Sequence, residues 1–119
     1  MRGFRELKVW EKSHQLTLLV YQATKSFPKE ELFGLTSQIR RACSSIPANI
    51  AEGCGRESNI DFAGFLQIAF GSASELEYHL LLALDLKLLD SASYKDMEAL
   101  LVEIKKMLAS FIQKLRSDG

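Results

Sequence analysis

Apolar side chains recur every three or four residues along most of this chain, in four stretches separated by proline, glycine or short polar turns. This spacing matches the 3.6-residue period of an amphipathic α-helix. No stretch alternates apolar and polar residues with the period of two that a half-buried strand needs. The pattern therefore predicts four helices, which span Leu7 to about Ser26, Pro28 to about Gly55, Ser58 to Leu89, and Ser93 to Leu115.

The ends of the predicted helices carry local signals. Pro28 ends the first helix and begins the second, because proline disfavours helical geometry before it but is tolerated in a first turn. Gly53 and Gly55 are expected to end the second helix as C-cap residues. Ser58 and Ser93 are expected to cap the third and fourth helices, since each is followed three residues later by an aspartate.

The second predicted helix contains a proline in its interior. Pro47 cannot donate a backbone hydrogen bond to the Cys43 carbonyl, so the segment is either one kinked helix or two separate helices. The apolar stripe keeps its phase across Pro47, which favours a single helix kinked at that residue. The stripe consists of Leu32, Leu35, Ile39, Cys43, Ile46, Ile50 and Cys54.

Four helices of roughly 20 to 30 residues joined by short connections pack as antiparallel neighbours. The chain has 119 residues, 47% of them hydrophobic, which is enough to bury one core. The sequence therefore predicts an all-α fold with a single domain over residues 1–119, an antiparallel up-down-up-down four-helix bundle.

A polar stripe follows a second face of helix two. It is either a solvated face or a partly buried seam against helix three or another subunit. If the hairpin turns near residues 56–57, Arg41 lies opposite Glu75 and Asn49 lies opposite Gln67, and these two matched pairs favour the seam. The stripe consists of Gln38, Arg41, Ser45, Asn49, Glu52 and Arg56.

The charge of the chain is balanced, with 15 Lys and Arg against 15 Asp and Glu. It therefore lacks the basic excess that drives non-specific binding to nucleic acids. Basic residues cluster only as Arg5, Lys8 and Lys12 on helix one and as the adjacent Arg40 and Arg41. These five are candidate nucleic-acid contacts, with an ordinary solvated surface as the alternative.

The residue types that carry catalysis or bind metals show no suitable spacing. His14 and His79 are far apart, and HExxH, Walker A and GxSxG motifs are lacking. Cys43 and Cys54 lie about 16 Å apart along one predicted helix, beyond disulfide reach, and are expected to be small buried side chains. We therefore expect no enzyme activity, no metal and no cofactor.

Two further patterns bear on location and assembly. The first ten residues lack the apolar run of a signal peptide, and no later stretch is apolar enough to span a membrane, so we expect a cytoplasmic protein. Helix three carries apolar residues outside its main stripe, which predicts a second buried surface and self-association. They are Ile68, Leu81, Leu82, Leu86 and Leu89.

Several segments carry a family resemblance: FRELKVW (4–10), FP (27–28), LTSQIRRA (35–42), SIPANIAEG (45–53), Arg56, and AFGS (69–72) with ELE (75–77). They resemble the bacterial four-helix-bundle proteins first associated with intervening sequences in large-subunit ribosomal RNA genes. The accessory protein of diversity-generating retroelements is a more distant, similar bundle, and it is basic where this chain is neutral.

The resemblance implies a ring-like homopentamer, no known catalysis and a link to RNA or ribosomes. We therefore expect a non-catalytic oligomeric scaffold or adaptor associated with ribosomal RNA or a ribonucleoprotein, with direct RNA binding as the alternative. Five residues belong both to the matching segments and to the predicted seam. These candidates for an assembly or partner surface are Arg41, Asn49, Glu52, Arg56 and Glu75.

Overall fold

The computed structural model describes residues 3–118. These form four helices, α1 (Lys8–Thr24), α2 (Leu35–Cys54), α3 (Asn59–Asp85) and α4 (Ser91–Asp118), with short 3₁₀ turns at Phe4–Glu6 and Lys29–Glu31. No strand occurs in this range, so the all-α four-helix class is confirmed. Over the same residues, no helix combines the length and the apolar character needed to cross a bilayer.

The helices are arranged around one interior. Each helix packs on the next in the chain, and α4 also packs on α1. In the described part of the chain the backbone of α1 is not adjacent to that of α3, nor that of α2 to that of α4, so each of these pairs occupies diagonal corners. Packing is densest between α2 and α3 and sparsest between α1 and α4.

The interior is one cluster of buried apolar side chains. All four helices contribute to it at spacings of three and four residues, as an amphipathic helix requires. Full burial of each large aliphatic side chain stabilises the fold by roughly 1.5 to 3 kcal/mol, which makes this cluster the main source of stability. Its fully buried members include Leu16, Val20, Ile39, Ile46, Ile50, Leu66, Leu76, Leu80, Leu101, Ile104 and Leu108.

Helix α2 continues through Pro47 as one element, as predicted. The Cys43 carbonyl loses the backbone amide that residue 47 would normally supply. The Thr17 hydroxyl of α1 lies 3.4 Å from this carbonyl, and 2.8 Å from the carbonyl of Ser13. A hydroxyl of the neighbouring helix therefore contacts the carbonyl that lacks its usual amide donor. The bend itself stays a prediction.

The prediction that helix two begins at Pro28 is wrong. Residues 29–31 form a separate 3₁₀ turn, and Gly34 departs from helical geometry with φ −114° and ψ −112°. The Glu31 carboxylate then accepts a hydrogen bond from the Leu35 amide at 3.2 Å. This carboxylate satisfies one of the free amides at the N-terminus of α2, which fixes the start of the helix there.

The predicted third helix is four residues too long, because α3 ends at Asp85. Lys87 adopts left-handed geometry with φ 63°. Its amide donates to the Leu84 carbonyl, and the Leu88 amide donates to the Ala83 carbonyl, each at 2.9 Å. This pair of bonds is a Schellman motif, which usually places glycine at the left-handed position. Because lysine is not typical of this position, the sequence does not indicate that the helix ends here.

The predicted cap of helix four is also wrong, because Asp90 takes the position assigned to Ser93. The Asp90 carboxylate accepts hydrogen bonds from the Ser93 amide at 2.8 Å and the Ser93 hydroxyl at 3.1 Å. The bond from the Ser93 amide, and after it the bond from the Ser93 hydroxyl, hold the pKa of Asp90 below its usual value. For helix three the predicted cap is confirmed, since the Ser58 hydroxyl accepts a hydrogen bond from the Asp61 amide at 3.0 Å.

Gly53 is not the C-cap that its position suggested. It is buried inside α2, and no glycine among residues 3–118 has a positive φ. A Cβ atom at this position would lie 2.7 Å from Cδ1 of Phe62 and 3.0 Å from Cβ of Phe65. The lack of a side chain at Gly53 therefore lets the end of α2 approach the start of α3 closely.

Candidate functional site

The polar stripe of α2 meets α3 at its centre. The Ser45 and Ser72 hydroxyls lie 2.9 Å apart across the interface between the two helices. The Asn49 side-chain amide donates to the Ser45 carbonyl at 2.8 Å and to the Ser45 hydroxyl at 2.9 Å. All three residues are half-buried, so this part of the stripe is a polar seam.

The direction and register of the two helices follow from these contacts. Ser45 faces Ser72, whereas Gly53, later in α2, approaches Phe62, which comes earlier in α3. The two helices are therefore antiparallel, and their register agrees to within about one residue with the predicted turn near residues 56–57.

Neither predicted pair forms a hydrogen bond or an ion pair across this interface within residues 3–118. Arg41 is exposed, and within residues 3–118 no ion pair joins it to Glu75. The Glu75 carboxylate instead lies 3.9 Å from Nδ1 of His79, one turn further along α3. Gln67 lines a shallow surface pocket together with α4, while the Asn49 amide bonds to its own helix.

The end of the stripe is exposed and partly organised by charge. The Arg56 guanidinium lies 3.0 Å from the Glu52 carboxylate and 4.6 Å above the centre of the Phe65 ring. Of the five candidate surface residues, Asn49 is half-buried and the other four are exposed. The stripe is therefore a seam at its centre and a solvated edge at both ends.

The two basic candidates on α2 differ in environment. The Arg40 Nε donates to the Thr24 hydroxyl at 2.9 Å, and its guanidinium lies 4.7 Å above the Tyr21 ring. Arg40 thus ties α2 to the end of α1, and it is half-buried. Arg41 is exposed instead, and both arginines line one surface pocket that also includes Tyr21.

The basic candidates near the start of α1 are also partly engaged. The Lys12 ammonium lies 3.2 Å from the Glu103 carboxylate of α4. The Arg5 guanidinium lies 4.8 Å above the Phe4 ring. Lys8 is exposed and has no ion pair among residues 3–118.

The structure does not bring the two basic groups together. Arg40 contacts Thr24 at one end of α1, whereas Lys8 begins that helix at the other end. The 16 residues between Lys8 and Thr24 span about 24 Å along the helix axis. A single small nucleic-acid contact therefore cannot involve both groups in one copy of the chain.

Lys8 instead has basic neighbours that the sequence analysis missed. It lines a groove between α1 and α4 together with Lys106 and Lys114. Lys106, Ser110 and Lys114 are spaced by four residues, which places them on one ridge of α4. That spacing was visible in the sequence, but the packing of α1 beside this ridge was not.

The histidines are separated and differently placed. The His14 ring stacks on Trp10 with 4.9 Å between ring centres. His79 is buried, and its Nδ1 atom lacks a hydrogen-bond partner. Across residues 3–118, no group of three or more His, Cys, Asp or Glu side chains is placed to hold a metal ion.

Both cysteines are buried in α2, as predicted. Burial raises the pKa of the Cys43 thiol to about 11, although a hydrogen bond with Thr17 acts in the opposite direction. The Cys43 Sγ atom lies 3.6 Å from the Thr17 Oγ1 atom. Cys43 is therefore a protonated thiol at neutral pH and a weak nucleophile.

Comparisons with known proteins agree on one family. The family model described as the 23S rRNA-intervening sequence protein matches residues 5–110. The chain is also similar to a solved structure from Bacteroides thetaiotaomicron, a protein with unknown function from the S23 ribosomal protein family. The two are 31% identical, the match covers 87% of this chain and 97% of that chain, and the TM-score is 0.79. No curated protein matches the sequence.

Proposed function

Because this chain belongs to the 23S rRNA-intervening sequence protein family, we propose that it is a non-catalytic scaffold or adaptor built as a ring of identical bundles. In this proposal the ring works in the bacterial cytoplasm with ribosomal RNA or a ribonucleoprotein. The observation that carries the proposal is the placement of exposed apolar side chains on two opposite corners of the bundle.

Large apolar side chains reach solvent on the outer faces of α1 and α3. On α1, Leu18 is 59% exposed, and on α3, Ile68 is 53% exposed. Leu19, Ile60 and Leu81 extend these two faces. Because α1 and α3 occupy diagonal corners, the two apolar faces point in opposite directions.

Two different apolar faces on opposite sides suit a head-to-tail contact, in which α1 of one copy packs on α3 of the next. Such contacts form a closed ring when the rotation between copies divides a full turn. Full burial of each aliphatic side chain contributes roughly 1.5 to 3 kcal/mol, part of which is offset by the lost freedom of the subunits. The number five comes from the family resemblance.

Two glycines on the outer face of α3 add support. A Cβ atom at Gly64 or Gly71 would meet nothing within 4 Å. A glycine inside a helix costs about 1 kcal/mol relative to alanine, and no contact within the subunit explains either residue. Their flat surface beside Ile68 suits the close approach of a helix from another copy.

Light scattering after size exclusion tests the ring at micromolar concentration. The wild-type chain should give about 67 kDa, five times the 13.4 kDa of one chain. Ile68→Glu and Leu18→Glu should each yield monomers. Val102→Glu is the matched control, because Val102 is an exposed apolar residue on α4 and outside both faces.

Mixing the two disrupted variants gives a sharper test. Ile68→Glu retains an intact α1 face, and Leu18→Glu retains an intact α3 face, so one contact between them remains possible. The mixture should contain a dimer of about 27 kDa, twice 13.4 kDa. A wild-type monomer at all concentrations would refute the scaffold, while a stable dimer or tetramer would refute only the number five.

The association with ribosomal RNA is tested separately. The tagged protein should sediment with ribosomal particles from a bacterial lysate at low salt. Recovery only in the fractions of free protein would contradict this part of the proposal.

A further inference from the structure

A groove with an apolar floor and basic rims runs between α1 and α4. Its volume is about 490 Å³. The floor is formed by Leu7, Val9, Met107 and Phe111, and Met107 and Phe111 keep part of their surface exposed. The groove lies along the most sparsely packed of the four helix interfaces.

Both rims of this α1–α4 groove are cationic. Lys8 stands on the α1 side, and Lys106 and Lys114 stand on the α4 side. None of the three lysines forms an ion pair within residues 3–118, and no carboxylate lines the groove itself. Lys114 also borders an adjoining pocket that includes Glu57 and Asp118. Two other lysines on the same helices differ, since Lys12 pairs with Glu103 and Lys105 pairs with Glu77.

We propose that the α1–α4 groove binds an acidic amphipathic helix of a partner protein. This inference rests on the proposed adaptor function and names the kind of partner that each subunit recruits. Apolar residues of the partner helix cover Met107 and Phe111, and its carboxylates reach the three lysines. A carboxylate pairs with each ammonium, which compensates the positive charge that the subunit leaves unpaired.

The arrangement of the rim suits a helix. Lys106, Ser110 and Lys114 form one ridge of α4, and Met107 and Phe111 form the adjacent ridge. Lys106 and Lys114 are eight residues apart, which corresponds to about 12 Å or two turns of a helix. Acidic residues two turns apart on a partner helix therefore match the two α4 lysines, with apolar residues at intermediate positions.

The same features fit single-stranded RNA less well. Binding of unpaired bases relies on exposed aromatic faces that stack with them. Among residues 3–118, Phe111 is the only aromatic residue lining the groove, and its ring already packs edge-on against Phe62, with 5.2 Å between ring centres. The remaining floor is aliphatic or a thioether, which suits apolar side chains.

Fluorescence anisotropy with a synthetic probe tests the proposal. The probe is a labelled 15-residue helical peptide that carries leucines on one face and glutamates at the flanks, and a matched peptide carries lysines in place of the glutamates. The acidic peptide should bind saturably and the basic peptide should not. Lys106→Glu/Lys114→Glu should weaken acidic-peptide binding about tenfold or more.

A control variant separates local from overall charge. Lys25→Glu/Lys29→Glu changes the net charge by the same amount at exposed positions between α1 and α2. It should bind the acidic peptide within about twofold of the wild type, at an ionic strength where long-range attraction is screened. Equal weakening in the two variants would overturn the proposal.

The methionines report where the peptide binds. The chain has three methionines, and Met107 lies in the groove whereas Met97 is buried in the core. In a spectrum of ¹³C-labelled methionine methyl groups, the peptide should shift the Met107 signal and leave Met97 in place. No binding at millimolar peptide, or binding without a Met107 shift, would overturn the proposal.

A 15-nucleotide single-stranded RNA completes the test. RNA binding that Lys106→Glu/Lys114→Glu abolishes, together with no peptide binding, would make the groove a nucleic-acid site and overturn the proposal. The ring is judged independently by light scattering. A ring that does not bind the peptide would contradict only the groove proposal. A monomer that binds the peptide would contradict only the proposed ring.

Discussion

Gly53 is a residue where one added methyl group should disturb the bundle. In Gly53→Ala, the new Cβ would lie 2.7 Å from the Phe62 ring, so the start of α3 must shift. Overpacking of this kind costs roughly 1 to 3 kcal/mol, and the better helix propensity of alanine returns about 1 kcal/mol. We expect a net loss of stability of up to about 2 kcal/mol in urea unfolding.

Gly55→Ala is the control for that experiment. Gly55 has φ −82°, and its added Cβ would lie no closer than 3.4 Å to another atom, the Glu52 carbonyl oxygen. Its stability should stay within about 0.5 kcal/mol of the wild type. Equal effects at the two positions would contradict the close-approach explanation for Gly53.

Cys43 makes the stability of the protein depend on pH in the alkaline range. Its folded pKa of about 11 exceeds the ordinary value of 9.0, because burial disfavours the thiolate. Between these values the unfolded chain loses the proton and the folded chain keeps it, so stability is full below pH 9 and falls as the pH rises towards 11. The loss should be of order 2 kcal/mol.

Unfolding in urea between pH 8 and 11 measures this effect, with Cys43→Ala as the reference. Other groups titrate in the same range, so the informative quantity is the difference between the two pH profiles. The wild type should lose more stability than the variant over this range. Parallel profiles would mean that the thiol ionises equally easily in the folded chain.

At the residue scale, the sequence identified apolar positions better than polar contacts. The spacing of Ile39, Cys43, Ile46 and Ile50 was enough to place them in the core, because the helical period alone determines which side chains share a face. The pairing of Arg41 with Glu75 also required both side chains to face the interface, but both are exposed, and the Glu75 carboxylate lies beside His79.

At the scale of the helix, Pro47 should matter more for direction than for stability. Pro47→Ala restores an amide that can bond to the Cys43 carbonyl, but it removes a buried ring. These effects oppose each other, so we expect a net change below about 2 kcal/mol and a changed direction of α2. A crystal structure of the variant with an unchanged path of α2 would refute the predicted kink.

Helix ends were predictable only where the usual residue types occur. Ser58 caps α3 in the expected way, whereas α3 ends at a left-handed lysine. The start of α2 depends on the Glu31 carboxylate, which reaches Leu35 from outside the helix. Such contacts depend on how the connecting segment folds back, and helical periodicity carries no information about that.

At the scale of the whole molecule, the family and the four-helix class could be predicted from the sequence, because motif segments and periodicity extend along most of the chain. The α1–α4 groove could not. It is formed by residues about 100 positions apart, and its basic rim exists only because the first and last helices pack side by side. Charge counts along the chain gave a neutral average that conceals this local excess.

Direct RNA binding by the whole molecule should be weak and sensitive to salt. The chain is neutral overall, Lys12 is paired with Glu103, and Arg40 is engaged by Thr24 and Tyr21. Few phosphates can therefore be neutralised, and affinity should fall steeply as salt rises. Filter binding of a ribosomal RNA fragment at about 50 mM and about 200 mM salt measures this loss of affinity. Tight binding that persists at the higher salt would contradict it.

The sparse packing between α1 and α4 also implies that the four helices differ in local stability. Regions with few buried contacts open with a smaller free energy than the rest of a fold. The amide protons of α1 should therefore exchange with deuterated solvent earlier than those of α3, which is packed densely on both of its neighbours. We expect a difference of about tenfold or more in protection between the centres of the two helices. Each subunit would then contain a first helix that detaches and returns while the other three remain folded.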